Sequence, residues 1–174
     1  MMEKNSKIFV AGHKGLVGSA LVRQLKSLGY ENLITADKLT LDLRSQAETE
    51  HFFSENRPDY VFLAAAKVGG INYNKTYPAD FIHDNIYITT NIISSSHKYG
   101  VKKLLNLGSA CIYPKITPQP IKEEYILTDS LEPTNEAYAI AKILGLKMCQ
   151  FYDKQYGFNA ISLMPPICMA LMII

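Results

Sequence analysis

The fold is decided by residues 7–29, which read KIFVAGHKGLVGSALVRQLKSLG. The apolar, β-branched run 7–12 predicts a strand, and the apolar spacing of 16–29 predicts a helix that ends at Gly29. The turn between them holds three glycines at three-residue spacing, Gly12, Gly15 and Gly18. Such a turn lets bare backbone approach a pyrophosphate at the N-terminus of the following helix. The stretch therefore predicts the start of a dinucleotide-binding βαβ unit.

The rest of the chain repeats this alternation of short β-branched runs and longer amphipathic segments. Further strands are predicted at 32–37, 60–66, 103–109 and 159–165, and further helices at 45–57, 79–100 and 135–156. Ser45 and Glu48 fit a capping box at the start of one helix. A proline-bearing loop is expected at 113–133. The pattern predicts an α/β fold with a doubly wound, parallel, Rossmann-type sheet of six strands, whose ligands bind beyond the carboxyl ends of the strands.

Composition narrows the class of partner. The 174 residues suit one domain, and a net charge of +2 from 18 basic and 16 acidic side chains offers no charge block for nucleic acid or a membrane surface. No apolar run approaches the roughly 20 residues that span a bilayer. The cysteines Cys111, Cys149 and Cys168 show no paired spacing and no signal peptide accompanies them, which favours a cytoplasmic protein.

Metal binding is not expected. The histidines lie in polar or helical surface contexts without ligand spacing to one another or to a cysteine; they are His13, His51, His83 and His97. Cys149 lies within an apolar helical segment and is interpreted as a core residue.

The type of dinucleotide is left open by the spacing of charges. Asp37 follows the glycines by about 20 residues, where a carboxylate would bind a ribose 2′-hydroxyl and favour NAD. Lys14 and Lys38 are cations near the same place and would suit a 2′-phosphate. Asp42 could reach the adenine edge, or could be a solvated or capping carboxylate. The candidate cofactor contacts of the turn are Gly12, Lys14, Gly15, Leu16, Val17 and Gly18.

A second group of candidates follows the predicted strand 103–109. Ser109 stands at its end, and Tyr138 and Lys142 share one helix face at i, i+4 spacing. Near a nicotinamide, these groups could orient an oxygen and move its proton while hydride moves at the adjacent carbon. Lys142 would favour the charged form of the Tyr138 phenol. A Tyr-x-x-x-Lys pair is common on ordinary helices, so the prediction depends on the order of all these motifs.

Several longer motifs resemble the GDP-L-fucose synthases, a family of extended short-chain dehydrogenase/reductases. They are LAAAKVGG (63–70), KTYPADF (75–81), GSACIYPK (108–115), LEPTNEAYAIAK (131–142) and QYG (155–157). The resemblance implies a GDP-sugar substrate, epimerisation at C3 and C5 of GDP-4-keto-6-deoxy-D-mannose, and reduction of the C4 ketone with NADPH. It also implies cofactor contacts from Ala64, Ala65, Tyr138 and Lys142, and a homodimer.

The resemblance gives Cys111 a role. Epimerisation beside a ketone needs a base and an acid that the Ser109, Tyr138 and Lys142 group does not supply. In the family, a cysteine at the position of Cys111 and a downstream histidine share these tasks. Ala110 departs from the family, which usually carries a second hydroxyl there.

The end of the chain departs further. Residues 166–174 read PICMALMII, whereas the family continues Thr-Asn-Leu-Tyr-Gly-Pro into a substrate-binding domain. Residues 165–174 can be back-translated into a set of codons that, when translated in the frame starting at its third base, encodes Thr-Asn-Leu-Tyr-Gly-Pro-Tyr-Asp-Asn. We interpret 166–174 as an out-of-frame tail produced by one missing base. Residues 1–165 would then be an NAD(P)-binding domain, truncated before the substrate domain and with little activity.

Two other functions stay open. The chain could be a non-catalytic NAD(P)-binding module, although a pure binder does not need Ser109, Tyr138 and Lys142 together. It could also be another nucleotide-sugar epimerase or dehydratase of the same superfamily. Cys111 disfavours the common dehydratases, which place acidic residues at that position.

Overall fold

The computed structural model describes residues 2–164, which form one parallel sheet with helices on both faces. The strands are β1 (Ile8–Ala11), β2 (Leu33–Ile34), β3 (Tyr60–Leu63), β4 (Lys103–Leu107) and β5 (Ala160–Leu163), in the spatial order β2-β1-β3-β4-β5. The proposed out-of-frame segment 166–174 lies outside the described residues. After β1 the chain adds β2 on one side of it and then crosses over to add β3 on the other side. Doubly wound sheets bind their ligands at such a switch point, which here lies between β1 and β3.

Five α-helices connect the strands. They are α1 (Leu16–Ser27), α2 (Gln46–Asn56), α3 (Ile71–Thr76), α4 (Pro78–Lys98) and α5 (Glu136–Tyr156), with 3₁₀ turns at Ala110–Ile112 and Glu123–Tyr125. Glycines at positive φ follow three of these helices, Gly29 after α1, Gly100 after α4 and Gly157 after α5. Within residues 2–164, no helix is both long enough and apolar enough to cross a bilayer.

The sheet is covered on both faces because alternate residues of its strands point in opposite directions. Ile8 and Val10 of β1 pack with Leu25 of α1. Phe9 and Ala11 of the same strand belong to the larger core, which α2, α4 and α5 complete. Cys149 is 2% exposed within that core, which confirms its interpretation as a packing residue.

The α/β class and the parallel sheet are confirmed, but the number of strands was wrong. Five strands are present in residues 2–164, and each of the five predicted ranges contains one, so that the expected total of six exceeded the predicted ranges by one. The connection after β4 forms loops and 3₁₀ turns, where a loop was expected. The edge strand β2 is shorter than predicted, because Asp37 accepts backbone hydrogen bonds from Thr40 and Leu41 in a turn. The short helix α3 was not predicted; Tyr77 separates it from α4, which begins at Pro78.

The capping prediction holds in part. The Ser45 hydroxyl accepts a hydrogen bond from the Glu48 N–H at 3.3 Å, as a cap of α2 should. The Glu48 carboxylate, however, accepts from the Asp42 N–H at 3.0 Å. The start of α2 is therefore tied to the loop that precedes it.

The turn between β1 and α1 depends on two glycines with no room for a side chain. Gly12 has φ +84°, and a Cβ there would lie 2.6 Å from the Ala65 backbone nitrogen. A Cβ on Gly18 would lie 2.1 Å from the Gly12 carbonyl oxygen. The first turn of α1 thus packs directly on the backbone of the glycine turn.

We predict that Gly18→Ala destabilises the fold by about 3 kcal/mol, because the new methyl group collides with backbone that cannot repack. Gly70→Ala is the matched control, since Gly70 has φ −68° and a Cβ added there would meet no atom within 4 Å. Urea unfolding of both variants measures the difference. Equal unfolding midpoints would contradict the packing argument.

Candidate active site

A cleft of about 890 Å³ opens beyond the carboxyl ends of β1, β3 and β4. Eleven of the residues proposed from the sequence line it: Gly12, Gly15, Leu16, Val17, Lys38, Asp42, Ala64, Ala65, Ser109, Tyr138 and Lys142. Four others, Lys14, Gly18, Asp37 and Cys111, do not. The fold thus brings the glycine turn and the Ser, Tyr and Lys group to one cleft.

The glycine turn places helix N-terminal backbone at the cleft wall. Gly15 is the N-cap of α1 and has no side chain between its backbone and the cleft. Leu16 and Val17 begin the helix, where backbone N–H groups lack partners within the helix. These groups and the helix dipole suit a phosphate. Gly18 has a packing role one turn further along.

Asp37 is already partnered by cations. Its Oδ1 atom lies 2.7 Å from Lys14 Nζ and 3.6 Å from His13 Nε2. The hydrogen bond from Lys14 is the main reason that the pKa of Asp37 is lowered. Lys38, the next residue, lines the cleft. The Asp37 charge is therefore offset, and a second cation stands beside it.

Asp42 is held by the guanidinium group of Arg44. Arg44 Nη2 donates to Asp42 Oδ2 at 2.6 Å, and Nε donates to Oδ1 at 2.9 Å. The Arg44 backbone N–H also donates to Oδ1. The Arg44 hydrogen bonds lower the pKa of Asp42 to about 2, against the opposing effect of burial. Asp42 therefore lines the cleft as an ionised carboxylate.

The segment after β3 is fixed to α4 by Asn85, which is 2% exposed. Asn85 Oδ1 accepts from the Lys67 N–H at 2.8 Å, and its Nδ2 donates to the carbonyl oxygens of Lys67 and Phe81. All its hydrogen-bonding groups thus act on backbone. This fixes the backbone that carries Ala64 and Ala65 into the cleft.

Ser109 and Cys111 lie together beyond β4. Ser109 is in extended conformation, and the 3₁₀ turn Ala110–Ile112 then folds the chain back, so that Cys111 Sγ donates to Ser109 Oγ at 3.1 Å. Burial raises the pKa of the Cys111 thiol, while the Ser109 hydrogen bond and the Lys142 charge oppose that rise. Cys111 is half-buried behind Ser109 and does not line the cleft.

Tyr138 and Lys142 share one face of α5, as predicted from their spacing. Lys142 Nζ lies 5.7 Å from the centre of the Tyr138 ring and donates to the Leu107 carbonyl at 2.9 Å. The lysine is 7% exposed, and burial lowers its pKa to about 8. The Tyr138 ring also packs edge-on against Phe81. An ammonium ion beside a phenol can support its proton transfer.

Sequence reasoning missed a charged group on the cleft wall. Arg44, Lys67 and Asp84 line the cleft, and Asp84 contacts both cations. Lys67 closely follows the end of β3, which was the available signal, whereas Arg44 lies in the loop that precedes α2, well beyond the end of β2. Asp84 lies within α4 and gave none. Among residues 2–164, no cluster of His, Cys, Asp and Glu side chains is arranged to hold a metal ion.

The family model for the NAD dependent epimerase/dehydratase family matches residues 8–169. The chain belongs to this family. Its cleft holds the family's glycine turn and strand-end residues in one place, and the described sheet agrees with a Rossmann-like architecture.

Relatives within the family are similar over almost the whole chain. GDP-L-fucose synthase 1 of Arabidopsis thaliana is 62% identical over 165 residues, which cover 95% of this chain and 51% of that protein. GDP-L-fucose synthase of Escherichia coli (strain K12) is 52% identical over 159 residues, 91% of this chain and 50% of that protein. The chain thus spans about half the length of the curated relatives it matches.

Solved structures of family members superpose closely. A GDP-mannoheptose C4 reductase from Campylobacter jejuni with NADP bound has a TM-score of 0.92 at 43% identity, covering 94% of this chain and 52% of that one. A GDP-L-fucose synthetase from Naegleria fowleri bound to NADP has a TM-score of 0.85 at 28% identity, covering 95% of this chain and 52% of that one.

The buried Lys142 predicts a pH-dependent stability. With a pKa of about 8 in the folded state and 10.5 as the ordinary value, the unfolded chain binds more protons between these pH values. The free energy of unfolding should therefore rise with pH, by about 1 kcal/mol up to pH 9. Lys142→Met should remove this rise, and the exposed Lys154→Met should keep it. Urea unfolding from pH 7 to 9 measures the slopes; parallel slopes in wild type and Lys142→Met would refute the assignment.

Proposed function

We propose that this chain carries the NADP-binding and reducing part of a GDP-L-fucose synthase. In the proposed reaction, GDP-4-keto-6-deoxy-D-mannose is epimerised at C3 and C5, and its C4 ketone is reduced with NADPH. The observation that carries the proposal is the convergence of the glycine turn with Ser109, Tyr138 and Lys142 on one cleft. The names of the similar proteins, among them GDP-L-fucose synthases, supply the substrate class.

Each residue has a chemical task in this proposal. The dinucleotide would lie across the carboxyl ends of the strands, its pyrophosphate at Gly15 and the start of α1. When bound, the reduced nicotinamide supplies hydride. Ser109 would orient the ketone oxygen, and Tyr138 would give that oxygen its proton, assisted by the Lys142 ammonium ion. Asp42 would accept a hydrogen bond at the adenine edge.

Cys111 would act in the epimerisation steps. Its thiol donates to Ser109 Oγ, so it lies one hydrogen bond from a group on the cleft wall. After a small side-chain rotation, the thiol could donate its proton to the enolate carbon beside the ketone, once the downstream histidine of the family has removed the original proton from the opposite face; the sulfur is then left as a thiolate. The elevated pKa of this thiol suits a proton donor more than a resting thiolate base.

The charges around Asp37 favour NADP over NAD. Asp37 is occupied by Lys14, whose side chain is 74% exposed, and Lys38 lines the cleft next to it. Two lysines beside an already paired carboxylate suit a 2′-phosphate better than a bare 2′-hydroxyl. Two similar proteins have solved structures described as NADP-bound.

Another GDP-sugar C4 reductase is the second candidate. The GDP-mannoheptose C4 reductase is 43% identical to this chain, so the reducing residues suit either sugar. Cys111 favours the fucose synthase, which needs an additional acid or base for epimerisation. The non-catalytic NAD(P)-binding module is the third candidate. NADPH turnover would exclude it, whereas binding without turnover by the chain alone would fit a truncated enzyme equally well.

We further propose a cytoplasmic homodimer built on α4 and α5. These helices pack side by side, and they expose Tyr87 and Phe151, which are 47% and 61% exposed. Exposed aromatic side chains are common at interfaces between subunits. Sedimentation equilibrium of the purified chain would detect the dimer.

Cofactor choice is tested by neutralising the two lysines. The purified chain should bind NADPH at least tenfold more tightly than NADH, because charge-assisted bonds to a phosphate are strong. Lys14→Ala combined with Lys38→Ala should weaken NADPH binding about tenfold or more and leave NADH binding nearly unchanged. Cofactor fluorescence titration measures both. The control is Lys122→Ala, a lysine on the loop after β4; an equal loss for both cofactors would count against the 2′-phosphate assignment.

The chemistry is tested by Tyr138→Phe. Because the chain spans about half the length of its relatives, the assay uses residues 1–164 joined to the C-terminal half of the Escherichia coli GDP-L-fucose synthase. With NADPH and GDP-4-keto-6-deoxy-D-mannose present, Tyr138→Phe in this fusion should lower the rate of NADPH oxidation by about 10²–10⁴-fold, because the proton donor is lost. NADPH binding should persist, which the same fluorescence titration verifies. If NADPH binds but the oxidation rates of the wild-type and variant chains are equal, the binding module is the better supported function.

A further inference from the structure

Asp84 is a buried carboxylate on the wall of the cleft. Its side chain is 11% exposed and lies 3.4 Å from Arg44 Nη1, 3.3 Å from Lys67 Nζ and 3.1 Å from His83 Nδ1. Burial raises its pKa, but the hydrogen bonds and charges of these neighbours lower it overall. Asp80, one turn earlier on α4, is 58% exposed and contacts Lys67 at 3.1 Å. Asp84 alone of these two carboxylates touches Arg44.

Arg44 joins Asp84 to Asp42 through one rigid group. Its Nε and Nη2 atoms donate to Asp42, and its Nη1 atom reaches both oxygens of Asp84. The guanidinium group is planar, with its donors in a fixed fork. The contact of Nη1 with Asp84 therefore sets the orientation of Nε and Nη2, the atoms that bind Asp42. Asp84, on α4, thereby determines how Arg44 presents the Asp42 carboxylate.

The Asp42 carboxylate retains room for one more hydrogen bond. An ionised carboxylate has about four acceptor positions. Oδ1 accepts from the Arg44 backbone N–H, the single Nε proton is shared between Oδ1 at 2.9 Å and Oδ2 at 3.1 Å, and Oδ2 also accepts from Nη2. Three donor protons therefore occupy the carboxylate, which leaves one acceptor position, on Oδ2. The remaining position on Oδ2 can accept from a ligand but cannot donate to it. A ligand N–H would be bound there, and a ligand carbonyl would be repelled.

We infer that Asp84 is a positioning residue for adenine recognition, which acts through Arg44 to aim the free acceptor position of Asp42 at the exocyclic amine of adenine. The inference rests on the proposed function, in which NADP(H) occupies the cleft. The ability to distinguish adenine from other purines would then depend on Asp84, a residue of α4 that is not expected to contact the base. Adenine carries an amine at the relevant edge, whereas hypoxanthine carries a carbonyl oxygen.

Asp84→Ala tests this role directly because Arg44 and Lys67, the arginine and lysine that Asp84 contacts, each retain another carboxylate. In this variant Arg44 still has its ion pair with Asp42, and Lys67 still has its ion pair with Asp80. Asp80→Ala is the matched control, since it removes a carboxylate from the same helix and from Lys67 without touching Arg44. Thermal melting of both variants checks that the fold is retained.

The experiment measures dissociation constants for NADPH and for its hypoxanthine analogue, reduced nicotinamide hypoxanthine dinucleotide phosphate. The wild-type chain should prefer NADPH by about tenfold or more, as expected for a hydrogen bond to a charged group. Asp84→Ala should reduce this preference to about threefold or less, and Asp80→Ala should keep it. Both ligands carry the same phosphates, so a general change of charge or packing would weaken both equally and leave the ratio unchanged.

The outcomes separate the two proposals. If the wild-type chain does not bind NADPH, the proposed function fails. If it binds NADPH with no preference over the hypoxanthine analogue, or if Asp84→Ala keeps the full preference, only the present inference fails. If Asp84→Ala does not fold, Arg44→Lys is measured instead. A lysine keeps the positive charge but cannot hydrogen-bond to Asp42 and Asp84 at the same time. An unchanged ratio in Arg44→Lys also overturns the inference.

Discussion

The contact between Gly18 and the Gly12 carbonyl is the constraint on which the cleft depends. It lets the first turn of α1 lie directly on the end of β1, with no side chain between them. Gly12 in turn lies against the backbone of Ala64 and Ala65, so that the end of β3 borders the same cavity. Three backbone segments thus meet where a dinucleotide phosphate is proposed to bind. Larger residues at these positions would separate the helix from the sheet before they blocked any ligand.

Electrostatics divides the cleft into two parts. Around Asp37, Asp42 and Asp84, carboxylates and cations alternate, and each acid is held ionised by a neighbouring base. Around Lys142 the surroundings instead disfavour charge: burial lowers the pKa of the Lys142 ammonium and raises the pKa of the nearby Cys111 thiol. The first part suits recognition by fixed charges. The second suits proton transfer, because the pKa of the Lys142 ammonium is lowered to about 8.

Much of this arrangement could be predicted from local patterns. The glycine turn, the strand ends and the i, i+4 pair Tyr138 and Lys142 follow short-range rules, and the structure brings them to one cleft. The contribution of Asp84 could not be predicted, because its partners Arg44 and Lys67 lie far away along the chain and nothing in α4 marks it. The shortness of β2 also depends on non-local circumstances, since an edge strand has a neighbour on one side only. The strand total of six was wrong because it exceeded by one the segments with a strand pattern, each of which does form a strand.

Asn85 holds the segment after β3 through backbone atoms alone. The position of that segment is therefore independent of which side chain occupies residue 67. Substitutions at residue 67 can therefore change the charge, size or polarity of this wall of the cleft while the backbone stays in place. A single amide on α4 thus makes this part of the cleft variable in chemistry and constant in shape.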